Sequence, residues 1–381
     1  MGADEPDEQT ILEAAGDLFD LTQPDPSPAD RLRDRIRTAG PIPFAVFMDE
    51  ALYGDGGYYR RDDLPIGEEG DFVTGSSFSP LFGRATARLL RRLDAALGRP
   101  ADFLEAGAGT GAHLANVAAT LLDRGTADRE TATGRRLLGW DRISRPLSES
   151  VSRVTDLKEI ENGGIIGMIF SYELFDALPV HRLIGREAGL GEVWVDLDDT
   201  GAFTWREDEL SDPSLAGLLG GATLQPGQVA DLAPGWRPLY AELARRLGRG
   251  LLVTCDYGYQ RDRLLDARVR RHGTLAAYTR QRVHRNPFVK IAEQDLTAHV
   301  DLTALLEAGE AEGLTTLALT RQSFWLAACG LFTDLQDAPL EQRRAAMALL
   351  DGEGMGEDIR VLVQARGVTA EGLFDVELPA G

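Results

Sequence analysis

Between Asp102 and His113 the chain reads Asp-Phe-Leu-Glu-Ala-Gly-Ala-Gly-Thr-Gly-Ala-His. An apolar run ends at Glu105, glycines recur at alternating positions (Gly107, Gly109, Gly111), and Ala112, Leu114, Val117 and Leu121 follow at helical spacing. The pattern predicts a strand, a tight turn and a helix. Such a turn lets backbone approach a ligand where a Cβ would collide, and it exposes the first amides of a helix. A nucleotide-like guest is expected there. The competing reading is a turn that only packs a helix on a sheet.

The glycines alone do not choose the guest. Gly107, Gly109 and Ala112 also satisfy the Gly-x-Gly-x-x-Ala fingerprint of nicotinamide and flavin dinucleotide sites, so those cofactors and S-adenosylmethionine all remain open. Glu105 tilts the choice: a carboxylate at the end of the strand attracts a cationic amino acid moiety and repels a pyrophosphate. A dinucleotide site also needs an acid about 20 residues past the glycines. Asp123, Asp128 and Glu130 lie in that direction, but none ends an apolar run. Asp141 does, after Leu137-Leu138-Gly139-Trp140, and it would reach ribose hydroxyls from the end of a second strand.

A chain of 381 residues can bury a large core and is expected to form a main domain with a smaller one. Its formal charge of -21 repels phosphate backbones, which argues against a nucleic-acid acceptor. No window approaches the apolar length of a membrane span, so no membrane partner is expected. The acidic first residues resemble neither a secretory leader nor a transit peptide. Cys255 and Cys329 both sit in apolar runs and read as reduced core thiols of a cytoplasmic protein. The five histidines are scattered and no Cys-x-x-Cys occurs, so no metal site is expected. Of 40 basic residues only Lys158 and Lys290 are lysine, a codon bias that suggests a GC-rich bacterial genome.

Residues 1–28 read as an acidic tail and 29–80 as an N-terminal cap segment. The latter holds an Arg-rich helix, a second helix from Phe44 to Leu52, and a loop rich in Gly and Tyr from Tyr53 to Tyr59 that could wall a pocket. Residues 81–381 read as the main domain, with insertions at about 190–235 and 260–300. A buried strand from Ile165 to Ser171 runs into Tyr172, Glu173 and Asp176. In an open α/β sheet these would face the ligand, unless Asp176 merely caps a following helix. The expected fold is α/β, a mostly parallel Rossmann-like sheet with helices on both faces, plus a smaller cap from the N-terminal segment and insertions.

Several blocks together resemble the MidA family of S-adenosylmethionine-dependent methyltransferases, relatives of the mitochondrial complex I assembly factor that methylates a protein arginine. They are Gly70-Asp71-Phe72-Val73-Thr74, Ser79 to Gly83, the turn from Glu105 to Gly111, Glu173 to His181, Asp256-Tyr257-Gly258, Gly273 to Leu275, Arg282 to His284, Glu293 to Asp301 and Gly354 to Gly356. The likeness runs from about Gly40 to Arg366. It implies a class I methyltransferase fold with S-adenosylmethionine as cofactor and S-adenosylhomocysteine as product. It further implies cofactor contacts near Gly70, Asp71, Phe72 and Thr74, the glycine turn, and the acid after the second strand. Asp156, Leu157 and Tyr172 complete the candidate cofactor set.

For chemistry, an arginine acceptor needs carboxylates to hold the guanidinium, and Glu173 and Asp176 are the candidates. A hydroxyl or carboxyl acceptor would need a base such as His284 or His299, or none. Where the family carries acids, this chain has Ser77 and Asn286, and it gains Tyr172 and Phe78. Those departures lead us to expect a less cationic acceptor, a specialised small molecule or modified peptide, with a protein arginine still open. The rival readings are a non-catalytic binding protein that keeps the fold and an NAD or FAD oxidoreductase.

Overall fold

The computed structural model describes residues 25–61, 79–122, 134–279, 282–350 and 358–379. Its helices in chain order are α1 (Pro28–Ala39), α2 (Phe44–Tyr53), α3 (Pro80–Leu97), α4 (Ala112–Leu122), α5 (Trp236–Arg246), α6 (Arg261–Leu264), α7 (Ala267–Arg270), α8 (Leu302–Ala311), α9 (Gln322–Ala328), α10 (Leu331–Asp337) and α11 (Leu340–Leu350). The strands are β1 (Ile42–Pro43), β2 (Asp102–Ala106), β3 (Leu137–Trp140), β4 (Ser152–Val154), β5 (Ile165–Tyr172), β6 (His181–Arg186), β7 (Gly189–Leu197), β8 (Phe203–Asp208), β9 (Val229–Leu232), β10 (Leu247–Tyr259), β11 (Ala276–Thr279), β12 (Arg282–His284), β13 (Asp295–Thr297), β14 (Val300–Asp301), β15 (Thr315–Arg321) and β16 (Ile359–Arg366).

The central sheet runs β15-β16-β10-β5-β2-β3-β4. Strands β4, β3, β2, β5 and β10 are mutually parallel, and β16 runs antiparallel between β10 and β15. The chain enters at β2, steps outward through β3 and β4, and returns to lay β5 on the other side of β2. That reversal opens a crevice at the carboxyl ends of β2 and β5. Successive residues alternate between the two faces: Leu104, Ile169 and Leu252 join one core, Phe103, Phe170 and Val253 the other. Helices α5 and α8 cover the first through Tyr240, Leu243 and Leu305, and α3, α9 and α11 the second through Leu89, Trp325 and Leu349. Helix α3 starts where Ser79 accepts the Leu81 N–H with Pro80 in the first turn, and stops at Gly98 in a left-handed conformation (φ 70°).

A second sheet, β1-β7-β6-β9 with β8 on β7, stands apart from the first. Here the N-terminal segment meets the inserted hairpin directly, since Ile42 pairs with Val195 and Pro43 with Trp194. Aromatic rings from three sequence-distant segments weld this region together, Phe47 meeting Phe203 at 5.5 Å and Phe288 at 5.4 Å, and Trp205 meeting Phe288 at 4.6 Å.

The alternative in which Asp176 caps a following helix is excluded. No helix follows β5. Glu173 takes a left-handed conformation (φ 49°), the next two amides, Leu174 and Phe175, donate to Asp256 Oδ2 at 3.2 and 2.8 Å, and the chain passes Pro179 straight into β6. Pro179 would fall inside any helix begun here, without an N–H to donate and against the carbonyl of Phe175, so no helix runs on from β5. Residues 1–24 of the acidic tail, where the apolar spacing from Ile11 to Phe19 suggests a short helix, lie outside the described residues.

Candidate active site

The three glycines make the turn that their spacing implies. Gly107, Gly109 and Gly111 all have positive φ (77°, 52° and 74°), where any other residue would be strained. A Cβ on Gly107 would come within 3.0 Å of Leu174, and one on Gly111 within 2.6 Å of Leu147, but one on Gly109 would meet nothing within 4 Å. Gly109 therefore presents bare backbone to open space. That space is a cavity of about 270 Å³ at the crevice, which Gly107, Gly109, Trp140 and Asp141 line on one side. A smaller cavity of about 120 Å³ shares Gly109, Trp140 and Asp141 and extends to Val154 and Thr155 at the end of β4.

Asp141 organises this corner. Its Oδ2 accepts the Gly109 N–H at 2.8 Å and its Oδ1 the Ile143 N–H at 2.8 Å. Burial raises its carboxyl above the usual range, and the two N–H groups and Arg145 pull the other way. Arg142 lies over the Tyr53 ring at 4.0 Å and pairs with Asp49, and Arg145 donates to the carbonyls of Tyr59 and Arg61. These arginines therefore hold the wall in place.

The rest of the cavity lining is largely acidic and aromatic. Glu173, Asp176 and Asp295 line it, as do Tyr53, Tyr59, Tyr257 and Tyr278. Tyr53 and Tyr59 stack with centroids 5.4 Å apart; their hydroxyls donate to Ala177 O (2.9 Å) and Asp295 Oδ1 (2.8 Å). The glycine- and tyrosine-rich loop thus forms part of the wall. Asp176 is buried, and its Oδ1 has no hydrogen-bond partner among the described residues. Burial, and then the charges of Asp256, Glu173 and Asp295, push its carboxyl well above the usual range. Burial likewise pushes Asp256 up to about 7, against the pull of the backbone N–H groups it accepts.

Other candidates land elsewhere. Glu105 does not line the cavity: it is buried, its Oε1 is 2.9 Å from His113 Nδ1, and His113 Nε2 is 3.1 Å from Thr86 Oγ1. It acts on the turn from behind, by fixing the first helical residues, not as an open berth. Tyr172 reaches the wall, but its ring packs edge-on to Phe82 at 5.4 Å and its hydroxyl donates to Gln322, so the phenol points into the core. Asp156 is exposed and caps the short turn Leu157–Glu159 through the Lys158 N–H, and Leu157 is buried in the core; neither lines either cavity. His299 is corrected as a candidate base, because it lies outside the cavity with its ring 5.4 Å from Tyr259. Burial and the nearby Arg270 and Arg285 lower it to about 4, so it is neutral at pH 7. Gly70, Asp71, Phe72 and Thr74 lie outside the described residues. Asp295 and Tyr278, which sequence reasoning did not single out, come from the second insertion; Asp295 lies in the resemblance block from Glu293 to Asp301, and Tyr278 falls between the blocks Gly273 to Leu275 and Arg282 to His284.

These residues fit S-adenosylmethionine. The turn leaves room where a Cβ would stand, and a strand-end carboxylate is fixed at the junction of two cavities, the larger one lined by apolar Trp140 and Ile143 as well as by acids. A model of a methyltransferase family, described as "Putative S-adenosyl-L-methionine-dependent methyltransferase", matches residues 81–320. A Drosophila melanogaster protein, the mitochondrial protein arginine methyltransferase NDUFAF7 homolog, is 26% identical over 323 residues, covering 75% of this chain and 70% of that protein. The human mitochondrial protein arginine methyltransferase NDUFAF7 is 24% identical over 338 residues, covering 78% and 72%. A crystal structure from Burkholderia thailandensis, of a protein described as a "likely methyl transferase" and bound to S-adenosylhomocysteine, superposes with a TM-score of 0.78 at 27% identity over 96% of each chain. Fold and site together define a methyltransferase that uses S-adenosylmethionine. The chain belongs to the matched family, as a divergent member of the group that includes MidA and NDUFAF7.

Proposed function

We propose that the acceptor is a guanidinium, the side chain of an arginine in a protein or peptide. The observation that carries this reading is the convergence of Glu173, Asp176 and Asp295 on one cavity that Tyr53, Tyr59, Tyr257 and Tyr278 also line. A guanidinium is a flat, delocalised cation: carboxylates match its N–H edges and aromatic rings its faces. When bound, S-adenosylmethionine supplies a methyl group activated by its sulfonium. The chain's own residues align the nitrogen, exclude water and remove a proton. Carboxylates on two sides localise electron density on one guanidinium nitrogen. As that nitrogen forms its bond to the methyl carbon, S-adenosylmethionine would break its S–CH3 bond and leave as S-adenosylhomocysteine, and the proton that the guanidinium nitrogen sheds would go to Asp176, which lines the cavity with Oδ1 unpaired among the described residues. An arriving cation supplies the positive charge that lets Asp176 ionise in so acidic a pocket. The curated relatives, named as protein arginine methyltransferases, support the same acceptor.

The sequence had pointed to a less cationic acceptor through Ser77 and Asn286. Ser77 lies outside the described residues. Asn286 does not line the cavity, and its Oδ1 accepts the Phe288 N–H in an exposed turn. We further propose a reducing, cytoplasmic setting, a reading supported by the burial of Cys255 and Cys329 as free thiols. The test is incubation of the purified protein with isotope-labelled S-adenosylmethionine and an arginine-centred peptide library, followed by mass spectrometry. Methylarginine is expected. Label on a carboxyl, hydroxyl or amine instead would overturn the assignment.

A further inference from the structure

Elsewhere in this acidic chain arginines meet carboxylates, as Arg186 does with Glu207, Arg261 with Asp301 and Arg245 with Glu312. Arg145 binds main chain instead. Its Nη2 donates to two carbonyl oxygens of the cap loop, those of Tyr59 (2.7 Å) and Arg61 (2.9 Å), which stand 86 and 84 residues away in sequence. A rigid, planar guanidinium that bridges two carbonyls fixes the loop in position as well as in place. The segment that carries Arg145 is itself anchored at the cofactor corner, because Asp141 accepts the N–H groups of Gly109 and Ile143. Arg145 follows two residues later and lines both cavities that meet at Asp141.

Tyr59 carries the connection across the cavity. Its ring stacks on Tyr53, and its hydroxyl donates to Asp295 Oδ1 at 2.8 Å. Burial, and then the Asp295 charge, push the Tyr59 phenol well above its ordinary range, so it keeps its proton and serves Asp295 only as a donor. Asp295 stands on β13, in the small sheet β12-β11-β13. Side-chain contacts therefore join its carboxylate to the cofactor corner, and not the ladder that carries Asp141's strand β3.

We propose that Arg145 is a positioning residue for methyl transfer: held at the cofactor corner, it fixes Tyr59, and Tyr59 fixes the Asp295 carboxylate against the acceptor. Occupation of the cofactor corner stiffens the segment from Asp141 to Arg145, and through Arg145 it orders the acceptor wall before the acceptor arrives. The assignment rests on the guanidinium reading only in taking Asp295 as an acceptor contact. The link from Arg145 to the wall stands apart from that reading.

The test uses the full chain and needs no acceptor in its first arm. Amide hydrogen exchange is followed in the cap loop, where the Gly57 and Arg60 N–H groups close turns on the Gly54 and Gly57 carbonyls, with and without S-adenosylhomocysteine. In wild type the ligand should slow this exchange roughly fivefold or more. In Arg145→Ala, with calorimetry showing the ligand bound, it should not, and Arg145→Lys should recover part of the slowing. Slowing that persists in Arg145→Ala, or that wild type never shows, overturns the proposal. The second arm uses an arginine-centred peptide and adds Tyr59→Phe, which leaves the cofactor corner whole and keeps the test decisive if Arg145→Ala folds poorly. Each variant should raise the peptide KM roughly tenfold, the scale of one lost hydrogen bond to a carboxylate, with far smaller changes in kcat and in KM for S-adenosylmethionine. The double variant should be no worse than the weaker single one, because both break one chain of contacts. Additive losses, or an unchanged peptide KM in Tyr59→Phe, overturn the proposal. If exchange depends on Arg145 but no arginine is ever methylated, the link to the wall stands and the guanidinium reading falls. If arginine is methylated while exchange ignores Arg145, the positioning role falls and the acceptor stands.

Discussion

Gly109 donates its backbone N–H to Asp141 Oδ2 across 2.8 Å, which ties the middle glycine of the turn to the end of β3. One carboxylate thereby sets both the shape of the turn and the wall between the two cavities. Its second oxygen does the same for Ile143.

Replacing Asp141 with Ala should loosen that corner. Two backbone N–H groups lose a charged acceptor, which costs about 1.5–3 kcal/mol where the site is partly desolvated. We expect S-adenosylhomocysteine to bind roughly 10- to 100-fold more weakly, a range that follows from that energy. Calorimetry against Asp141→Asn, which keeps one acceptor oxygen, measures it. Equal affinities for wild type and Asp141→Ala would exclude the role given to this carboxylate.

The glycines should differ among themselves. Gly109→Ala adds a methyl where nothing lies within 4 Å, so its effect on folding is limited to the left-handed backbone, about 1–2 kcal/mol. The same methyl projects into the cavity and should abolish cofactor binding. Gly111→Ala collides with Leu147 at 2.6 Å and should lower Tm further while leaving the cavity open. Thermal melts with and without S-adenosylhomocysteine separate the two cases: ligand stabilisation should vanish for the first and persist for the second.

Much of this geometry was legible in the chain. Alternating glycines after Glu105, the apolar run ending at Asp141, and Glu173 with Asp176 after a buried strand all have local patterns, and local patterns report strand ends. What escaped was set by contacts across the sheet. Glu105 turns inward because His113, eight residues later on the first turn of α4, comes back beneath it. The turn after β5 is held by Asp256, on a strand that arrives some eighty residues later. Tyr172 points away from the cavity because Phe82 and Gln322 receive it. Neither spacing nor composition encodes such partners.

Asp256 should leave a signature in the pH dependence of stability. Its carboxyl rises from an ordinary 3.8 to about 7 in the fold, so between those values the native state holds a proton that the unfolded chain has lost. Stability from this group is complete below about pH 4 and declines as pH rises through 7. A shift of this size is worth on the order of 4 kcal/mol at most. Asp256→Asn keeps an acceptor for the Leu174 and Phe175 N–H groups and cannot ionise. Urea denaturation at pH 5 and pH 8 should therefore show the variant gaining on wild type as pH rises. Parallel stabilities at the two pH values would mean that the carboxyl ionises normally.

Glu173 combines a carboxylate on the cavity with a backbone angle that suits glycine, φ 49°. A non-glycine residue held there costs about 1–2 kcal/mol. Glycine would recover that, less about 0.5–1 kcal/mol for the extra freedom it gives the unfolded chain. Removing the charge also relieves repulsion on Asp176, whose carboxyl is held up partly by Glu173. Glu173→Gly should therefore match or exceed wild type in stability. If the carboxylate grips the acceptor, kcat/KM should nevertheless fall by roughly 100-fold or more, the scale of a lost catalytic side chain. Glu173→Gln removes the charge but keeps the strained residue: turnover should fall as far, without the full gain in Tm. Full activity in the glycine variant would leave Glu173 as a turn residue only, and the acceptor grip would pass to Asp176 and Asp295.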